Sequence, residues 1–148
     1  MIEKGLPSKV KCGTAGDAAS VDDDVIALMK KAGCTFISFG GESASDKVLK
    51  YDIQKGTTRK NNQDALDVMQ RQGMEPVITV ILGNPNENID DMCETTDFFI
   101  KNNLQCDPFI CTPYPGTKLF LDYEQQILEQ FDERLAEVKN LPKETVDE

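Results

Sequence analysis

A fourfold alternation constrains this chain most. Short runs of β-branched, aromatic and aliphatic residues take turns with amphipathic stretches. The runs are Val10 to Thr14, Thr35 to Phe39, Pro76 to Leu82 and Gln105 to Cys111. Strands that alternate with helices imply an α/β fold with a parallel sheet and right-handed crossovers. Pro76-Val-Ile-Thr-Val-Ile-Leu82 is apolar nearly throughout, as a strand covered on both faces should be. Val10 to Thr14 is short, and polar enough to make a poor sheet edge unless something pairs with it. That edge suggests that the chain continues a structure begun elsewhere.

The intervening stretches carry helix signals. Residues 1–9 read as the end of a helix and a turn at Gly5-Leu6-Pro7. Ser20 is a suitable N-cap, and Asp22, Asp23 and Asp24 oppose the macrodipole in the first turn. Val25, Leu28, Met29 and Ala32 then share one face, and Gly33 ends the helix. A short helix is expected from Asp46 to Gln54. Another runs from Thr58 to Gly73, with Ala65, Leu66 and Met69 on one side. Asn88 caps a helix whose apolar face is read as Ile89, Met92, Cys93, Thr96, Phe99 and Ile100. A last helix, from Leu119 to Asn140, carries Ile127, Phe131, Leu135 and Val138 on one face. The tail from Leu141 should fray.

Composition narrows the function classes. Of 148 residues, 39% are hydrophobic and 28% charged, enough for one folded domain. The net charge of −10 argues against a nucleic-acid or anionic-membrane surface. No apolar run approaches the roughly 20 residues of a membrane span, and the N-terminus lacks a signal-peptide core, so the expected location is cytoplasmic. Five cysteines, Cys12, Cys34, Cys93, Cys106 and Cys111, show no Cys-x-x-Cys spacing. They read as reduced thiols, four of them buried, and no metal ligands are assigned. There is no histidine, which removes histidine acid–base catalysis and histidine ligation from this segment.

Function in parallel sheets gathers at the carboxyl ends of strands. Three loops there carry polar residues: Gly40-Gly41-Glu42-Ser43, Gly83-Asn84-Pro85-Asn86-Glu87 and Thr112-Pro113-Tyr114-Pro115-Gly116-Thr117. Glycines allow a sharp turn or close approach of the backbone to a flat ring. Glu42 can accept bonds from ligand hydroxyls or an ammonium, and Ser43 can donate or accept. Ser45 is a candidate cap for the next helix. The plainer readings stand beside these: Glu42 and Ser43 solvating a tight turn, the Gly83 loop capping a helix, the Thr112 loop a rigid proline turn, and Asp22 to Asp24 a helix start without metal.

In order along the chain stand Lys11-Cys12-Gly13-Thr14, Leu28 to Cys34, Ile37 to Ser45, Lys55-Gly56-Thr57-Thr58, Gly83 to Glu87 and Thr112 to Thr117. Together they resemble the second half of a radical S-adenosylmethionine enzyme core, closest to the group that often carries an upstream cobalamin-binding domain. The resemblance implies a TIM-like (β/α)₆ partial barrel, of which this chain supplies four parallel βα units, without the N-terminal strands and the cluster loop. Residues 1–121 would form the C-terminal part of that barrel and 122–148 a helix and tail. It implies S-adenosylmethionine and a [4Fe-4S] cluster, whose ligands would lie outside this chain, with cobalamin in a missing upstream domain as an option. The family's activity is 5′-deoxyadenosyl radical chemistry, with methyl transfer a common outcome in the group. By this resemblance Gly40, Gly41, Glu42 and Ser43 contact the ribose and methionine parts of the ligand. Val80, Leu82 and Gly83 lie along the adenine, and Thr112, Pro113 and Tyr114 approach it through backbone groups. The partner would be the missing N-terminal half of the barrel, with a small-molecule substrate unassigned.

The chain departs from the family pattern in three places. The Cys-x-x-x-Cys-x-x-Cys motif is absent. Ala15 stands where the group often has arginine. Asn84 and Asn86 replace an apolar residue and a glycine. The isolated chain is therefore expected to be inactive. A binding module that kept the fold and lost the cluster is the alternative, and a βα enzyme with Glu42 as general base a weaker one.

Overall fold

Each run becomes a strand of one parallel sheet. The computed structural model describes residues 2–105 and 108–139. Strands β1 (Cys12–Gly16), β2 (Cys34–Glu42), β3 (Glu75–Leu82) and β4 (Phe109–Ile110) lie side by side in sequence order. The described part of β4 is only two residues long, against the seven-residue run expected from sequence. Cys106 and the tail from Leu141 fall outside the described residues.

Between the strands run α1 (Asp23–Lys31), α2 (Asp46–Val48), which continues as a π turn over Leu49–Ile53, α3 (Arg59–Arg71) and α4 (Ile89–Lys101). α5 (Lys118–Lys139) follows β4. The chain forms two compact units, Met1–Cys111 and Thr112–Glu148, and the sheet belongs to the first. No helix among the described residues is long and apolar enough to cross a membrane.

Alternation along β2 and β3 sets the two faces of the sheet. Ile37, Phe39, Ile78 and Val80 point into a core shared with Ile26 of α1, Ala65, Leu66 and Met69 of α3, and Phe98 and Phe99 of α4. Phe36 and Val77 point the other way and are exposed. The helices thus cover one face, as the pattern of a barrel wall requires.

Local signals were read well for α3, where Thr58 and Asn61 form a reciprocal capping box. They were misread in four places. Residues 2–8 form two 3₁₀ turns, Ile2–Lys4 and Leu6–Ser8, rather than a helix end. The N-cap of α1 is Asp22, whose side chain accepts from Val25 N, while Ser20 closes a short 3₁₀ turn. α1 buries Ile26, and Leu28 is 59% exposed. α4 buries Asp91, Thr95, Phe98 and Phe99, leaving Ile89 and Ile100 in solvent. That last rotation brings polar side chains under the sheet end.

Candidate functional site

Parallel strands bring their carboxyl ends to one edge. Asp17 follows β1 there, Glu42 ends β2, the Gly83–Asn88 loop follows β3 and Cys111 follows β4. The β2 end is the unusual one. Register with β3 slips between Gly40 and Glu42. Glu42, not either glycine before it, takes the left-handed conformation, with φ at 59°. An L-residue there costs about 1–2 kcal/mol, so the surroundings must hold it.

The two glycines serve close approach instead. A Cβ on Gly41 would lie 2.4 Å from Ile78 Cδ1, in the core. A Cβ on Gly40 would lie 2.2 Å from Glu42 Oε1, so the missing side chain leaves room for the carboxylate to fold back. Lys55 Nζ then donates to Glu42 Oε1 at 3.2 Å and to Gly40 O at 3.4 Å, and pairs with Asp17 Oδ2 at 3.4 Å. Burial pulls the Lys55 ammonium down, but its bonds to Glu42 and Asp17 outweigh this, and the net shift is upward. One ammonium thus bridges the ends of β1 and β2.

Asn62 of α3 holds the turn from below. Its Nδ2 donates to Gly41 O at 2.9 Å and to Ser43 O at 3.2 Å, while its own Oδ1 is buried without a partner. Ser43 is 1% exposed. Its hydroxyl shares a hydrogen bond with Thr95 Oγ1 at 3.1 Å and accepts from Ser45 N, and Thr95 Oγ1 accepts from Ala44 N. Ser45 begins α2 but its side chain caps nothing; its hydroxyl donates to Asp91 Oδ1 at 2.7 Å.

Asp91 joins the second loop to the first. Besides Ser45 it accepts from Lys47 Nζ and from Asn88 N, the latter at 2.9 Å, within the capping box of α4. The Lys47 ammonium, Asn88 N–H and Ser45 hydroxyl hold its carboxyl at about 2 instead of 3.8. A depressed carboxyl contributes stability in full above its ordinary pKa and loses it as pH falls through the folded value. Asp91→Asn is therefore expected to be less stable than the wild type near neutrality, with the gap closing between about pH 4 and pH 2. Urea midpoints across that range measure it, and a gap that stays constant would remove the carboxylate from this role.

The β3 loop is equally ordered. Glu87 Oε2 accepts from Gly83 N at 2.6 Å and Asn84 N at 3.0 Å, and Asn84 Nδ2 donates to Ile81 O. Asp52, in the π turn, accepts from Asn86 Nδ2 at 2.8 Å. Burial pushes the Cys111 thiol up, and the Asp52 and Glu87 carboxylates add to it.

The residues singled out in the sequence are thus placed as follows. Gly40, Gly41, Glu42, Ser43 and Gly83 stand at one end of the sheet. Val80 is turned into the core, and Leu82 is half-buried. Thr112, Pro113 and Tyr114 open the second unit, with Tyr114 68% exposed. Asn62, Asp91 and Thr95 escaped sequence reasoning, as did the roles of Asp17 and Lys55. Asn62 had left a trace, because it falls at helical spacing with Ala65, Leu66 and Met69.

A sequence model described as the Radical SAM superfamily matches residues 8–99. An "Uncharacterized methyltransferase" of Pyrococcus horikoshii is 35% identical over 100 residues, 67% of this chain and 22% of that protein. The anaerobic magnesium-protoporphyrin IX monomethyl ester cyclase of Cereibacter sphaeroides is 33% identical over 138 residues, 89% of this chain and 22% of that one. The chain thus spans about a fifth of the length of these curated relatives. Among solved structures, the radical S-adenosylmethionine methyltransferase TsrM from Kitasatospora setae, with cobalamin and a [4Fe-4S] cluster bound, superposes with a TM-score of 0.70 at 15% identity, over 84% of this chain and 26% of that one. That likeness concerns the fold: the four strands are a curled half-barrel of the TIM-like kind.

Proposed function

This chain belongs to the radical S-adenosylmethionine superfamily, and from that premise we propose that it is one wall of an S-adenosylmethionine site whose remainder lies on other polypeptide. The observation that carries the reading is Glu42. A carboxylate on a strained left-handed residue, at the carboxyl end of a parallel strand, accepts from Lys55 and is turned over a glycine. Strain of this kind concentrates at ligand sites.

Glu42 would accept hydrogen bonds from the ligand's hydroxyls or ammonium. Ser43, with its hydroxyl taken up by Thr95 and Ser45 and its backbone N–H and C=O by Gly41 O and Asn62 Nδ2, would support the turn that presents Glu42. Gly83 with Leu82 would shape the adenine side. Methyl transfer or cyclisation, the reactions in the names of two relatives, would be the chemistry that this wall serves.

The superfamily implies a [4Fe-4S] cluster, and the residues present do not fit one. Among the described residues no three metal-ligating side chains gather. Cys12 and Cys34 open β1 and β2, Cys111 follows β4 at the opposite end, and Cys93 is exposed on α4. The cluster ligands are accordingly assigned to a partner segment that completes the barrel. The same separation of thiols favours the second reading, a module that binds a nucleoside-sized ligand without iron.

Anaerobic reconstitution with iron and sulfide tests this directly. The chain alone should give no stoichiometric [4Fe-4S] spectrum and at most weak S-adenosylmethionine binding. Co-expression with barrel strands carrying Cys-x-x-x-Cys-x-x-Cys should bring both. In that complex Glu42→Ala should weaken ligand binding about 10- to 100-fold, the worth of a charge-assisted hydrogen bond. Undiminished affinity in the variant would take Glu42 out of the site. A ligand bound tightly by the chain alone would favour the module.

A further inference from the structure

At the far end of the sheet, two cysteines face each other across neighbouring strands. Cys12 and Cys34 are direct register partners in the β1–β2 ladder. Adjacent strands lie about 4.8 Å apart, inside the range of Cα separations that a disulfide spans. Both thiols are on the helix-covered side: Cys34 is part of the core, and Cys12 packs against it. Their Cβ vectors therefore run together rather than apart.

We propose that Cys12 and Cys34 form a thiol–disulfide site, closed by a low-molecular-weight disulfide such as oxidised glutathione. Cys12 is half-buried and Cys34 buried, so the oxidant reaches Cys12 first. The Cys12 thiolate attacks one sulfur of glutathione disulfide and displaces one glutathione thiolate, leaving a mixed disulfide. Cys34 loses its proton, attacks the Cys12 sulfur and displaces the second glutathione. Two protein thiols are oxidised by two electrons, one disulfide is reduced to two thiols, and no other reactant is needed. Burial pushes the Cys34 thiol up, with the nearby Cys12 thiol adding to it and the bond to Phe36 O opposing it. Closure is thus the slow step and quickens toward alkaline pH.

The pair spans 22 residues of chain and ties the sheet's edge strand, β1, to β2. Thiol–disulfide exchange with a reducing thiol would run the same two steps in reverse and reopen the bond. Cys93, exposed on α4, and Cys111, beside two carboxylates, have no such partner thiol across a ladder among the described residues.

Peptide mapping of the full chain tests the site. Cleavage after lysine leaves Cys12 in 12–30 and Cys34 in 32–47, one cysteine in each. The reduced chain is treated with oxidised glutathione under argon, blocked with N-ethylmaleimide and digested without reductant. The expected result is 12–30 linked to 32–47, with Cys93 still accessible to the maleimide, and recovery of both free peptides after a phosphine. Cys34→Ser should stop at a glutathione adduct on Cys12, and Cys12→Ser should leave Cys34 unmodified. Both peptides fully alkylated in the wild type, a glutathione adduct on Cys12 that never closes, or a link to another cysteine in place of this one would overturn the proposal.

Discussion

Asn62→Asp is expected to destabilise the chain by about 3–5 kcal/mol, the effect of a buried charge without a partner. The substitution changes shape hardly at all. It replaces the Nδ2 that donates to Gly41 O and Ser43 O by an oxygen that can only repel them. Asn62 is 1% exposed, so water cannot take over. The variant also carries its own diagnostic. Its carboxyl should titrate above the ordinary value of about 3.9, since only the neutral acid can donate to a carbonyl. A raised carboxyl contributes its stability below the unfolded pKa and loses it as pH rises. The variant should therefore approach the wild type in acid and fall away from it toward neutrality. Urea denaturation at a series of pH values decides the matter, and a pH-independent deficit would mean that the two carbonyl bonds are not what Asn62 supplies.

Gly41→Ala should cost about 1–3 kcal/mol through overpacking. The added methyl would meet Ile78 Cδ1 at 2.4 Å and Cγ1 at 2.7 Å, both held in the core. Gly13→Ala offers the control. There the clash is nominally worse, 2.1 Å to the Phe36 ring, but that ring is 46% exposed and can swing into solvent, so the loss should stay within about 0.5 kcal/mol. A double-mutant cycle makes the argument specific. Ile78→Val removes the nearer atom, and the pair Gly41→Ala with Ile78→Val should recover roughly 0.5–1.5 kcal/mol relative to additivity. Strict additivity would show that the cost arises elsewhere, most simply in the left-handed turn at Glu42.

These two substitutions bracket what matters about the β2 end. Gly41 is held down by a core residue and Asn62 ties the turn from beneath. Asp91 and Thr95 hold the stretch that follows. Glu42 is left standing over that platform with Lys55 as its counter-ion. The left-handed residue is thus positioned by groups packed and bonded beneath it, which is how strained residues are retained.

The order of elements, the parallel sheet and the end of the sheet at which the polar loops gather could be read from the sequence, because strand and helix periods and turn residues act over a few neighbouring positions. The six motifs likewise carried the resemblance to the superfamily, which the family model over residues 8–99 bears out. Tertiary structure decided three things. It chose Glu42 over the glycines as the left-handed residue, because β2 slips against β3 at that point. It turned α4 so that Asp91 and Thr95 face inward and Ile100 outward, because Ser43, Ser45 and Lys47, some 44 to 52 positions away, needed partners. It also paired Cys12 with Cys34 across 22 residues. An apolar period records only what a residue does with its neighbours in the chain, whereas a buried hydroxyl, carboxylate or thiol is placed by whichever distant group satisfies it.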